Sequence, residues 1–292
     1  MKSSESNRIA VLVHGFVGKK AFMREIENSL REPPFNAIYT KVINLSLYSS
    51  SYGLDLSKPY DIATPIYTDK LKQTLAHFLL AQITAELKHE KKIVLDIYAH
   101  SLGGLVTRAM VRYLFINTGM RVKNVVLLGT PNHGTRLAQK IMTVPADILM
   151  TGLNILFEIP TGEVDSDNLV LFRSQFMQLL PNSPFLKGLN KPLLEIEQSI
   201  QWITVRGLKS TGQLGVIWQP FLFRKFWVNR KFPYLHRGMI PNDGVVDAES
   251  VPLKFAVNLT ITNATHMDLL SWKSKSSGED VQKLLKPLIL KG

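Results

Sequence analysis

"YAHSLGGLVTRAMVRY", residues 98–113, puts a serine between an apolar run and a helical pattern. The run before it, "KIVLDIYA" (92–99), reads as a buried strand, and residues 103–117 read as a helix with Gly119 as its stop. A serine hydroxyl is a poor nucleophile at neutral pH. It needs exposure, an adjacent base, and donors for the oxyanion that forms after attack. A sharp strand-to-helix turn lifts the side chain above the sheet, and its crowding demands small neighbours. Ala99 stands two residues before Ser101 and Gly103 two after, while Gly104 lets the helix begin close to the strand. The pattern is thus A-x-S-x-G, with one alanine methyl in the turn. Ser101 is the candidate nucleophile. The N–H of Leu102, at the free start of the helix, is the candidate oxyanion donor. The competing reading is a βα turn that happens to hold a serine.

Working outward, the same alternation recurs. "RIAVLVHG" (8–15), "AIYTKVINL" (37–45), "VKNVVLLG" (122–129), "SIQWITVRG" (199–207) and "FAVNLTIT" (255–262) read as strands. Helical spacing covers 20–32, stopped by Pro33-Pro34, then 69–90 and 278–290. Leu71, Leu75, Phe78, Ile83 and Leu87 share one face of the second of these helices. Residues 46–67 are Ser, Tyr and Pro rich and read as a loop. Apolar strands alternating with helices predict an α/β fold, a mostly parallel central sheet with helices on both faces. The 292 residues suit a single domain over 1–292. Two regions break the alternation, at about 136–198 and about 208–241. Both are expected as insertions at the loop end of the sheet.

A second oxyanion donor should come from a loop at that same end. "VLVHGFVG" (11–18) follows the first strand, and Gly15 permits a close approach of backbone to the site. The N–H of Phe16 is the candidate, and losing one such donor typically costs ~3 kcal/mol of transition-state stabilisation. His14 is read as shaping this loop. The base is expected to be His266, the last histidine, in the loop between "FAVNLTIT" and the final helix. The acid should lie between nucleophile and base in the chain. In "GMIPNDGVVDAES" (238–250), Asp243 sits between Asn242 and Gly244 in turn chemistry that displays a side chain, and Asp247 is the alternative.

"VLVHGF", "AHSLGG", "GTPNHGT" (129–135), "NDGVV" (242–246) and "HMD" (266–268) together resemble the bacterial triacylglycerol lipases and related lipase-like serine hydrolases. The motifs run from residue 11 to 268. The resemblance implies the α/β-hydrolase fold, Ser101 as nucleophile, Asp243 as acid, His266 as base, and Phe16 and Leu102 as oxyanion-hole residues. It also implies that the segment after "GTPNHGT", rich in Ile, Leu and Met, forms a lid; the alternative is a helix packed onto the core. Some of these lipases hold calcium with a carboxylate just after the base, a position Asp268 fits. The partner carboxylate would lie upstream of Asp243, where residues 198–242 hold no acid. Hard cations want several oxygen ligands, so no metal is expected and Asp268 reads as a loop or helix-cap residue.

Cysteine is absent, which excludes disulfides and thiolate chemistry. The most apolar stretch, 141–160, is interrupted by Pro145, Asp147 and Gly152 and is not expected to span a bilayer. No signal peptide is legible, and a cytoplasmic location is expected. Net charge is +12, concentrated where residues 198–242 carry cations without acids. Within that stretch "VIWQPFLFRKFWVNRKF" (216–232) alternates rings and cations. This predicts peripheral contact with an anionic membrane surface; no recognised nucleic-acid module accompanies it. The function expected is a serine carboxylic ester hydrolase, a lipase or esterase acting on acyl lipids without a cofactor. Phospholipase A, thioesterase and lipid-linked glycan deacylase chemistry would use the same side chains. A non-catalytic lipid-binding protein on the same scaffold is the alternative outside enzymes.

Overall fold

The computed structural model describes residues 7–16, 20–47, 62, 74–141, 175–209 and 241–291. Among the described residues six strands form one sheet: β1 (Asn7–Val13), β2 (Lys41–Leu45), β3 (Ile93–His100), β4 (Arg121–Leu128), β5 (Gln201–Gly207) and β6 (Val257–Ile261). Their order is β2-β1-β3-β4-β5-β6, and every pairing among them is parallel. Parallel neighbours need crossovers, and helices supply them. They are α1 (Arg24–Leu30), α2 (Leu75–Glu86), α3 (Leu102–Leu114), α4 (Arg136–Ile141), α5 (Pro184–Leu189), α6 (Glu195–Gln198) and α7 (Ser276–Leu290).

Both faces of the sheet are covered, as the continuous apolar strands require. Along β1 the side chains alternate. Ile9, Val11 and Val13 join the layer that α2 and α3 close with Leu79, Ile83, Leu105 and Ala109. Ala10 and Leu12 join the opposite layer, where α1 and α7 contribute Ile26, Leu30, Val281 and Leu285. The two-residue strand period thus feeds two cores at once. Leu75, Phe78, Ile83 and Leu87 are buried as their spacing predicts; Leu71 lies outside the described residues.

Several boundaries move. The second strand starts at Lys41, because Phe35–Ala37 form a 3₁₀ turn after Pro33-Pro34. Residues 20–23 are 3₁₀ and not α-helical. The final strand is shorter than its apolar run: Phe255 lies before it and is exposed. Of the first insertion, 142–174 lies outside the described residues. The part from 175 to 198 packs on the domain, with Phe176, Leu179, Phe185, Leu186 and Leu189 buried in the α2–α3 layer. Of the second insertion, 210–240 with its 216–232 stretch lies outside the described residues. Among the described residues no helix is long and apolar enough to cross a membrane.

The order of the strands fixes where a site can form. The chain leaves β1 for β2 on one side and returns to β3 on the other, so crossovers diverge beyond the carboxyl ends of β1 and β3. Ligands of open parallel sheets bind at such a divergence. Gly15 and Phe16 follow β1 there, and Ser101 follows β3.

Candidate active site

Ser101 is the single residue between β3 and α3, with φ 53° and ψ −127°. A side chain at positive φ is strained, and such strain persists only where surrounding contacts fix it. Here the Ser101 N–H donates to the Leu128 carbonyl at 2.9 Å, and its own carbonyl accepts from Gly104 N–H at 3.0 Å. The turn is packed tightly enough that a Cβ on Gly103 would collide with the carbonyls of His14 and Val13. Gly104 meets the Thr130 side chain in the same way, so its missing side chain serves the approach of β4's end more than that of β3. Leu102 opens α3, where no carbonyl of its own helix can accept its N–H.

His266 follows β6 in a loop before the 3₁₀ turn Asp268–Leu270. Its Nδ1 lies 2.8 Å from Asp243 Oδ2, and both side chains are buried. Asp243 Oδ1 accepts from the N–H groups of Val245, at 3.0 Å, and Val246, at 2.7 Å. The His266 N–H donates to the Asp243 carbonyl at 2.8 Å, so backbone and side chain are paired together. An ionised carboxylate only accepts, which puts the neutral imidazole's proton on Nδ1 and leaves the Nε2 lone pair free to take a proton.

Ser101 and His266 occupy the same rim. Gly129, which follows the carbonyl that Ser101 N–H binds, has φ +58°, and a Cβ there would lie 2.9 Å from His266 Nδ1. His100, the neighbour of Ser101, packs its ring against that of His266, with centroids 4.5 Å apart and planes tilted by 46°. Its Nε2 donates to the His266 carbonyl at 3.1 Å. Among the described residues no hydrogen bond joins the Ser101 hydroxyl to His266.

The remaining sequence candidates are placed as follows. Phe16 is buried and packs its ring on Phe176 at 5.0 Å. Gly15 brings that loop against the serine, since a Cβ there would lie 2.8 Å from Ser101 Cβ. His14 is buried, with Nδ1 on the Gly15 carbonyl at 2.9 Å and Nε2 accepting from Leu47 N–H at 3.2 Å, as a residue shaping the loop would be. Burial pushes its pKa down to about 4, and Lys20 adds to this. Burial and the neighbouring His266 hold His100 well below the ordinary imidazole range. Asp247 turns to Arg136, whose N–H and Nε both lie 3.3 Å from Oδ2. Asp268 accepts from the N–H of Thr265 at 3.1 Å, in the loop before its turn, and pairs with Lys275. Burial would raise its carboxyl, but these bonds hold it below the usual range.

Sequence reading passes over two groups at this rim. His100 is hidden inside "AHS", where nothing but its adjacency to Ser101 marks it. Arg108 is fully buried, donating to Asn132 Oδ1 at 3.0 Å, Leu189 O at 3.0 Å and Asn190 Oδ1 at 2.9 Å. Its signal is a pair of arginines four residues apart, Arg108 and Arg112, in a helix of mostly apolar and small residues, together with the polar "PNH" of 131–133.

A six-stranded parallel sheet covered on both faces, with a strained serine turn after β3 and a histidine loop after β6, defines the α/β-hydrolase fold. The protein has this fold. Residues 75–206, less than half of the chain, match a family described as a domain of unknown function, DUF7379. No curated protein sequence matches the chain. Among solved structures it is similar to the Bacillus licheniformis lipase BlEst2 in its mature form. That match has 17% identity and a TM-score of 0.59, and covers 98% of this chain and 93% of the lipase. It is also similar to the phospholipase PlaB from Legionella pneumophila, at 14% identity and a TM-score of 0.53, over 84% of this chain and 45% of the phospholipase. A third is the metagenomic carboxyl esterase MGS0156, at 14% identity and a TM-score of 0.51, over 96% of this chain and 71% of the esterase. At these identities the likeness is one of fold.

Proposed function

We propose that the protein is a serine carboxylic ester hydrolase acting on acyl esters of lipids. The observation that carries this reading is the buried Asp243–His266 pair, 2.8 Å apart, on the rim where Ser101 is held at φ 53°. Asp243 fixes the imidazole's orientation and tautomer and stabilises its protonated form. His266 Nε2 takes the Ser101 proton as the hydroxyl oxygen attacks the ester carbonyl. The N–H groups of Leu102 and Phe16 receive the developing oxyanion. His266 then returns the proton to the departing alkoxide, which leaves an acyl-enzyme. Water, deprotonated by His266, attacks that acyl group; the acid is released as the bond to Ser101 Oγ breaks and His266 returns the proton to that oxygen.

Solved proteins of the same fold are described as a lipase, a phospholipase and a carboxyl esterase, so all three substrate classes belong in the test. Short and long p-nitrophenyl esters, a triacylglycerol emulsion and phospholipid vesicles are assayed with the wild-type protein and Ser101→Ala. The wild type is expected to hydrolyse at least one class, and Ser101→Ala to lower kcat on the order of 10⁶-fold. An active Ser101→Ala protein would remove the assignment.

A further inference from the structure

The "GTPNHGT" stretch (129–135) takes no part in that chemistry, yet its residues 132–135 are bonded to the segment 245–251 that follows Asp243. Thr135, buried, donates its hydroxyl to the Val245 carbonyl at 3.1 Å. That carbonyl belongs to the same peptide unit as the Val246 N–H, which donates to Asp243 Oδ1 at 2.7 Å. A single line of hydrogen bonds therefore runs from Thr135 Oγ1 through the 245–246 peptide to Asp243, and from Oδ2 to His266 Nδ1.

Both ends of this line are held. Thr135 Oγ1 accepts from Leu137 N–H at 3.1 Å, which leaves its proton for the Val245 carbonyl. One residue group upstream, Asn132 Nδ2 donates to the Val251 carbonyl at 2.6 Å, and His133 N–H donates to the Ser250 carbonyl at 3.0 Å. Asn132 is in turn gripped by Arg108 from α3, the helix that Ser101 opens. The acid loop is thus fastened to the nucleophile's helix through 132–135, with Thr135 at the point nearest the carboxylate.

We propose that Thr135 is a positioning residue for Asp243, acting through the 245–246 peptide. This rests on the ester-hydrolase reading for its kinetic consequence and on geometry alone for its effect on the Asp243–His266 bond. A hydrogen bond to a peptide carbonyl fixes the peptide's rotation and strengthens its N–H as a donor. That N–H and the neighbouring Val245 N–H both donate to Asp243 Oδ1 and hold the carboxylate whose Oδ2 orients the imidazole. Displacements near 1 Å at reacting groups can cost ~100-fold in rate.

The test compares full-length Thr135→Val, which keeps the shape without the hydroxyl, with Thr135→Ser, which restores the hydroxyl. Two readouts are taken: the low-field proton resonance of His266 Nδ1–H, and kcat and KM on a p-nitrophenyl ester. Thr135→Val is expected to weaken or shift the resonance and to lower kcat by roughly 10- to 100-fold, with KM within about twofold. Thr135→Ser is expected to restore both. A Thr135→Val protein with the wild-type resonance and kcat would overturn the proposal. So would a drop in melting temperature alone, with the folded fraction fully active, because that is a purely structural role. Should Thr135→Val not fold, Thr135→Ala is read by the same criteria. If the wild type cleaves no ester, the hydrolase reading falls, and the resonance alone decides whether Thr135 sets the Asp243–His266 bond.

Discussion

At the scale of single residues the rim depends on backbone that has no room for side chains. Gly129 is the case that touches His266. Its φ of +58° disfavours any other residue, and its absent Cβ is the space the His266 ring occupies, 2.9 Å from Nδ1. Gly129→Ala therefore costs twice. The left-handed conformation costs roughly 1–2 kcal/mol, and the methyl displaces the imidazole from Asp243. We expect urea unfolding to show a loss of that size and ester turnover to fall ~100-fold. Wild-type turnover in a folded Gly129→Ala protein would mean that the ring's position is not what the reaction depends on. Ser101 carries the complementary strain, since its φ of 53° is kept by bonds to Leu128 and Gly104 on either side.

Among elements, the connection between the ends of β1 and β2 has the most definite pH signature. His14, just past β1, binds the N–H of Leu47, just past β2, through its unprotonated Nε2. Protonation would remove that acceptor, and burial opposes the charge, so the folded-state pKa is about 4 against an ordinary value of 6.5. Between these values the unfolded chain binds the proton and the folded chain does not. The stability His14 confers is complete above pH 6.5 and is lost as pH falls toward 4, by about 3 kcal/mol. His100 pulls in the same direction. Urea titrations at pH 7 and pH 4 should show His14→Gln losing less stability on acidification than the wild type does. Equal losses in the two proteins would place the acid sensitivity elsewhere.

For the molecule as a whole, the layers were legible because burial on both faces of a parallel sheet leaves largely apolar strands, and the runs of β1, β3 and β4 lead straight into motif residues. Boundaries were less legible. Ala37 and Ile38 look strand-forming, yet the turn after Pro33-Pro34 takes them. Asn-Asp-Gly turn chemistry singles out Asp243, the carboxylate that lies against His266. What the sequence could not display is that Arg136 engages the second carboxylate. The Thr135–peptide–Asp243 line was invisible for a different reason: it runs through backbone atoms more than 100 positions apart in the chain, and backbone carries no residue signature.

The central claim is that the Ser101 hydroxyl is made reactive by His266 and Asp243. A fluorophosphonate probe reads this without any assumption about substrate. It is added in the presence of detergent, and the labelled site is located by mass spectrometry of the peptides. The account predicts one label per chain, on Ser101, with labelling slowed by orders of magnitude in folded His266→Ala. A probe that leaves Ser101 unmodified, or that labels it equally fast without the imidazole, would contradict the account.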